Sequence, residues 1–307
     1  MAGAGKLTTL ETGVAEAGRP DASSRVDEAA ARFPRVSVVT RIGLPDLRSA
    51  AAPGVAIPLD PDGALRDRRT LMLASMRDDA DRAPLAQQIF DEIAIAIVEG
   101  RLNPGDSLNS VDLARRFNTS RTPVREALAD LERQGAIVVP PHRRPYVAHV
   151  TLRQAKDVYD LRAALFTLVS DLIVESCPKT LLSELWRWQA ALEADAARGA
   201  VDDYFWHNVG FRLVEVRLAG NEQLQRMVGM LGIRTLQFRH LSLSQPGRLE
   251  RSVEDHRRLL IAYEEQDKTA AAAMSRGLIM AGYRAIVRSG VIGASNAAAD
   301  VRMEDPR

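Results

Sequence analysis

Arg121 and Arg125 stand four residues apart in the stretch NTSRTPVREAL, on either side of Pro123. At helical spacing their guanidinium groups share one face, while Val124, Leu128 and Leu131 share another. A guanidinium is a planar fork that can donate two hydrogen bonds to the edge of guanine, worth about 1–3 kcal/mol of discrimination per pair. Thr122 beside them suits a phosphate or a thymine methyl. Arg115 and Arg116, in the preceding segment, are placed to hold phosphates, which fixes register without reading sequence. Arg143 and Arg144 lie in a later Pro- and Arg-rich turn, suited to the minor groove or its phosphates. Any one of these arginines alone is most simply a solvated surface charge. Their joint pattern points to duplex DNA.

The surrounding sequence supplies elements to position them. PLAQQIFDEIAIAIVEG repeats apolar residues at Leu85, Ile89, Ile93 and Ile97 and stops at Gly100. LNPGDSL is a turn, and SVDLARRF is a short second helix with Leu113, Ala114 and Phe117 inward. Ser120 or Thr122 can cap the third helix, and Pro123 is tolerated because a first-turn amide has no intrahelical acceptor. Gly135 ends that helix, and GAIVVPPHRRPYVAHV gives two short β runs. The predicted fold class is mainly α. A winged helix-turn-helix of three helices and a two-stranded wing spans 83–150, and an all-α bundle spans 151–289.

In that bundle Leu161, Leu165, Leu168 and Leu172 mark one expected buried stripe. Five further amphipathic segments follow, with breaks near Pro178, Gly199, Gly220, Pro246 and Asp267. Residues 1–82 show no sustained apolar period and read as a disordered extension; 290–307 read as a flexible tail. Met72 and Met76 stand just before the first ordered segment, where the natural start is expected, the extension being non-native. Trp186, Trp188, Trp206 and Phe205 read as core or dimer-interface residues.

Composition narrows the function. The 307 residues suffice for two domains, with 46% apolar and 26% charged residues as in globular proteins. A net charge of +1 excludes a chain basic throughout and disfavours a non-specific architectural protein, yet permits a local basic face. Cys177 is the only cysteine, so neither an intramolecular disulfide nor a cysteine-rich zinc site is possible. No apolar run is long enough for a bilayer and no signal peptide is recognisable, so a cytoplasmic protein with no membrane partner is expected. Lys156, Lys179 and Lys268 lie in no Schiff-base context, and no nucleophile–base pair stands out. A regulator fused to a catalytic domain is therefore disfavoured, and no enzyme is expected.

LARRFNTSRTPVREALADLERQGAI closely resembles the GntR family of bacterial transcription regulators, over residues 83–150. The resemblance implies that Arg121 and Arg125 contact operator DNA. Arg144 stands where the family usually has a wing glycine, a departure that bears on minor-groove insertion. DVYDLRAAL, FRLVEVRLAGN and DHRRLLIAYEEQD resemble the helical effector domain of the FadR-type branch, the FCD domain, over 151–289.

Most members of that branch hold a divalent metal with an Asp or Asn, a His four residues later and two further histidines, and the metal receives a small carboxylate effector. Carried over by position, Asn208 and His256 remain, Arg212 replaces the first histidine, and the third falls at Leu278 or Gly277. One imidazole and one amide make a poor trap for a divalent ion. His207 is no ready substitute, lying about 140° around the helix from Arg212 at 3.6 residues per turn. The expectation is no metal and no cofactor. Arg212 would grip the effector carboxylate directly, helped by Asn208 and His256. Arg162 matches an arginine common in the first effector helix of the family, and Arg234 is a further pocket candidate. Two alternatives stay open: Arg212 paired with Glu215 and His256 a core histidine, or an apolar pocket for an acyl-type ligand. The implied protein is a repressor, a homodimer on palindromic operator DNA, controlled by a small-molecule effector.

Overall fold

The order of elements follows from where apolar spacing, caps and glycines fall. In a computed structural model, the residues described are 60–65, 67–76 and 82–292, all within one unit, Ser37–Arg307. Helix α1 (Pro61–Ala64) is capped by Asp60, and α2 (Arg68–Ser75) by Asp67, whose carboxylate accepts from the Thr70 amide at 2.9 Å. The expectation of solvated chain up to residue 82 therefore fails over 61–65 and 67–76. Leu71 and Met72 are fully buried, and Arg68 donates to Glu99 at 2.8 Å and to Asp203 at 3.0 Å. Two apolar side chains and one arginine are too short a signal to show as a period in sequence, but they suffice once a groove exists to receive them. The rest of the expected extension, residues 1–59, lies outside the described residues.

Helices α3 (Pro84–Val98), α4 (Ser110–Arg116) and α5 (Arg121–Arg133) form the trihelical part of the wing module. Ile89, Ile93, Ile97, Leu113, Val124, Leu128 and Leu131 join one apolar core. Ser120 occupies the N-cap of α5 without a side-chain cap hydrogen bond, so Pro123 and packing set the start of the helix. Gly135 ends it in the left-handed region at φ 69°, a conformation most side chains resist. Strand β1 (Ile137–Val138) pairs antiparallel with β2 (Tyr146–Val147), Ile137 facing Val147. Asp130, buried on α5, pairs with both Arg82 and Arg133, and the Arg82 guanidinium lies 3.9 Å over the Phe90 ring. That staple fixes α5 against α3.

Thr151 and Gln154 make a reciprocal capping box that starts α6 (Leu152–Ser176). A 3-10 turn (Lys179–Leu181) leads into α7 (Leu182–Arg198), then α8 (Val201–Leu218), α9 (Glu222–Gly229), α10 (Gly232–Leu243), α11 (Arg248–Glu265) and α12 (Lys268–Ser289). The expected breaks at Pro178, Gly199, Gly220, Pro246 and Asp267 coincide with helix ends. A further break at Met230 and Leu231 separates α9 from α10 and was not expected, because no proline or run of turn residues marks it. The expected buried stripe on α6 is also corrected. Leu161 and Leu168 are 46% and 43% exposed, whereas Tyr159, Arg162, Ala163, Phe166, Val169 and Ile173 face inward. Of the expected stripe only Leu165 is buried and Leu172 half-buried, because a period counted on leucines alone runs along the edge of the inward face that the aromatic and small residues mark. At the other end, Ile292 is buried, so the expected loose tail does not begin at residue 290.

Helix α8 is buried nearly all round and is central to the bundle. At Gly210 a Cβ would overlap the indole of Trp188 on α7, so only glycine allows this approach. Gly210 stands between Asn208 and Arg212, and the close α7–α8 contact sets the depth of both. Gly210→Ala should therefore destabilise the fold by about 1–3 kcal/mol in urea unfolding. An unchanged midpoint would show that Trp188 moves aside without cost.

Candidate DNA-reading helix and buried arginine cluster

Arg121, Thr122 and Arg125 are exposed at the N-terminal end of α5, and neither arginine makes an ion pair among the described residues. Arg115 is exposed at the end of α4, 3.5 Å from Asp112; Arg116 beside it is half-buried. Arg143 and Arg144 are exposed in the turn between β1 and β2. The wing and the helix start thus present cations to solvent, while the apolar face of α5 is locked inward.

The second site lies inside the helical bundle. Arg212 donates to Glu215 at 2.5 Å and, through its other terminal nitrogen, to His256 Nε2 at 3.2 Å. His256 Nδ1 lies 2.7 Å from the Ser252 carbonyl, a contact that assigns the proton to Nδ1 and leaves Nε2 as acceptor. The Asn208 amide also meets Nε2 at 3.2 Å, and its oxygen accepts from Arg239 at 2.7 Å. Tyr263 donates to the second Glu215 oxygen at 3.0 Å and meets Ser170 at 2.8 Å. The Arg162 guanidinium is 5.5 Å from the Tyr159 ring centre and 5.7 Å from that of Phe166.

Arg212, Asn208 and His256 are in mutual contact, and Arg162 stands on the wall of the same chambers. The expected alternative pairing of Arg212 with Glu215 is present as well. Arg234 is corrected: its Nε donates to the Gly135 carbonyl at 3.0 Å, so it ties α10 to the end of α5 instead of lining the pocket. Leu278, not Gly277, is the position that faces the site. Arg239 and Arg248 were missed. Arg239 has Leu236 and Leu243 at helical spacing, its only sequence signal of turning inward, whereas Arg248 has Arg251, Ser252 and Asp255 at those positions and no such signal. Trp188, Trp206 and Phe205 are fully buried in the core, and Trp186 donates to Glu264 at 2.7 Å. His207 is held by Asp195 and the Pro61 carbonyl, away from Arg212.

Two chambers flank Arg162, Arg212 and Arg239. The outer one, of about 190 Å³, has apolar walls from Phe166, Val209, Val228 and Leu236 and a rim from Ala74 and Ser75 of α2. The inner one, of about 30 Å³, is lined by Tyr159, Ser242, Arg248, Ser252 and Leu278 and is itself open on one side. Burial pulls Arg162 down to about 10, still charged at neutral pH, and lowers Arg239 well below the usual guanidinium value, with Arg162 and Arg212 adding repulsion. Burial pushes Glu215 up against the pull of Arg212 and Tyr263.

Burial, then the charge of Arg212, holds His256 well below its ordinary value, so it is neutral in the folded chain. These groups do not suit the divalent metal found in most FCD domains. A guanidinium occupies one ligand position and an aliphatic side chain another, and the remaining imidazole nitrogen already accepts hydrogen bonds from Arg212 and Asn208. Among the described residues no three His, Cys, Asp or Glu side chains gather as a metal site would require.

A winged module with an exposed cationic helix, followed by a helical domain around a buried cavity, is the architecture of a two-domain transcription regulator. Residues 85–147 match the model for bacterial regulatory proteins of the gntR family, and residues 157–281 match the FCD domain. The HTH-type transcriptional repressor RspR of Escherichia coli is 30% identical over 170 residues, covering 52% of this chain and 72% of that protein. The gluconate operon transcriptional repressor of Bacillus subtilis is 25% identical over 191 residues, covering 60% of this chain and 74% of that one. The solved structure of E. coli McbR/YncC superposes with a TM-score of 0.56 at 26% identity, covering 67% of this chain and 98% of that chain. The chain belongs to the GntR family and is a transcription regulator with an FCD domain. Among the described residues no helix is long and apolar enough to cross a membrane.

His256 makes stability depend on pH in a defined sense. An unfolded histidine takes up a proton near 6.5, whereas the folded one stays neutral, so its contribution is present above about pH 6.5 and is lost as pH falls below it. Between pH 7.5 and 5.5 this is on the order of 1 kcal/mol. Urea unfolding of wild type and His256→Gln at both values should show a pH-dependent loss smaller by about that amount in the variant. Equal losses would mean that His256 becomes protonated in the folded chain.

Proposed function

We propose that the chain is a cytoplasmic, sequence-specific, operator-binding repressor, a homodimer without enzymatic activity, controlled by a small carboxylate metabolite bound in the FCD domain. On the DNA side the reading is carried by the exposed, unpaired Arg121 and Arg125 at the start of α5. Arg121, Thr122 and Arg125 read base edges in the major groove. Arg115, Arg116, Arg143 and Arg144 hold phosphates on either side. The apolar strip of Leu161 and Leu168 on α6 is a face that a second copy can cover.

On the effector side the reading is carried by the buried arginines between the two chambers. Arg212 supplies the positive charge that a metal supplies in most relatives of this domain type, with Asn208 and Arg162 completing the grip and His256 orienting Arg212 and Asn208 through its acceptor nitrogen. The apolar walls of the outer chamber favour an apolar carbon body on that ligand, but an uncharged acyl chain would leave the guanidiniums unanswered.

Selection from random duplexes tests the first half. Wild type should retrieve a recurrent site, and Arg121→Ala with Arg125→Ala should lose it while keeping salt-sensitive binding to any duplex. Retention of the same site by the double variant would refute the reading. For the second half, Arg212→Met alone would strand Glu215, so it is paired with Glu215→Gln. Calorimetry should show at least a tenfold loss of carboxylate affinity in that pair, and unchanged affinity would remove Arg212 as the anchor.

A further inference from the structure

Arg248 opens α11, directly after Gly247, and its side chain lines only the inner chamber. The residue is 6% exposed, and its Nε and one terminal nitrogen have no hydrogen-bond partner among the described residues. A buried guanidinium without a counter-charge is costly, and burial accordingly lowers its proton affinity. Around the two chambers stand Arg162, Arg212, Arg239 and Arg248, while no carboxylate lines either chamber among the described residues. Glu215 sits behind Arg212 and is hydrogen-bonded to that guanidinium, reaching Arg162 and Arg239 only through space. Arg162 is faced by aromatic rings and Arg239 by a neutral amide. Three positive charges are thus gathered in the interior with no carboxylate hydrogen-bonded to them among the described residues, Glu215 and Asp255 acting only at a distance. A ligand with one negative group would still leave two unanswered.

We infer that this cluster is the site of a small dianion, with Arg248 the anchor of its second negative group. The inference rests on the proposed effector pocket and specifies the charge of its ligand. The inner chamber has room for one carboxylate or a comparably small anionic head, and the outer one for the body of the molecule. Ser252, fully buried beside Arg248 on α11, adds a hydroxyl at the same wall. In the ligand-free chain Arg248 is a source of strain rather than a support, as is common where a binding site is assembled in advance of its ligand.

The test uses the full chain, with succinate and inorganic phosphate as dianions and butyrate as a monoanion of the same carbon count as succinate. Calorimetry should show at least one dianion binding tenfold or more tightly than butyrate. In Arg248→Met that preference should fall below about threefold, with butyrate affinity unchanged. Phosphate as the tighter dianion would point to a phosphorylated ligand, succinate to a dicarboxylate. Thermal melting supplies a readout that a structural role would move the other way. Without ligand, Arg248→Met should melt higher than wild type, by roughly 2–4 °C. Equal binding of monoanion and dianions, or a lower melting temperature in the variant, would overturn the inference while leaving a carboxylate effector intact. No binding of any of the three would overturn both.

Discussion

The buried pair of Arg212 and Glu215 governs the interior of the helical domain. Placing a guanidinium on the central helix is tolerable only because a carboxylate three residues later answers it and Tyr263 completes the hydrogen bonding of that carboxylate. Breaking such a pair from one side leaves an uncompensated charge, which costs about 3–5 kcal/mol in comparable sites. The pair consumes the one acidic group of the cluster. Arg162, Arg239 and Arg248 must then find their hydrogen-bond partners among amides, rings, hydroxyls or a ligand, while Arg217 at the outer chamber pairs with Glu184. The chemistry of the cavity is therefore set by arithmetic of charge before any detail of shape.

The same helix links the cavity to the winged module. Trp206, one turn before Gly210 on α8, donates its indole N–H to Glu99 at 2.9 Å, just beyond the end of α3. Glu99 also receives Arg68 of α2 and Arg101, each at 2.8 Å. Helix α2 contributes to the rim of the outer chamber through Ala74 and Ser75. Arg234 of α10 holds the end of α5 through Gly135. Groups around the ligand chambers are thus one or two contacts from the helix that carries Arg121 and Arg125. These contacts give a physical route for coupling, which a change in occupancy can use only if it favours one arrangement of α8 over another.

Much of this was legible in the sequence, for identifiable reasons. The wing module announced itself because Pro123, Gly135 and the isoleucines of α3 each act locally, through backbone limits and helical spacing. The meeting of Asn208, Arg212 and His256 was legible through family resemblance, which carries long-range information that spacing lacks. Arg239 and Arg248 were not, since an arginine in a helix reads as solvated until its neighbours in space are known. Leu161 and Leu168 misled for the converse reason, because leucines on one face signal burial even when that face is left open in a single chain. Helix α2 was hidden by its brevity; two apolar residues and one arginine gain meaning only against α3 and α8.

The most direct measurement is the operator affinity of the wild-type protein, on the duplex retrieved by selection, across a titration of the dianion that binds it. The expected result is a change in operator affinity, matched by an equal factor in the affinity of the dianion when operator is present. A dianion that saturates the arginine cluster and leaves operator affinity where it was would contradict the proposed link between cavity and DNA.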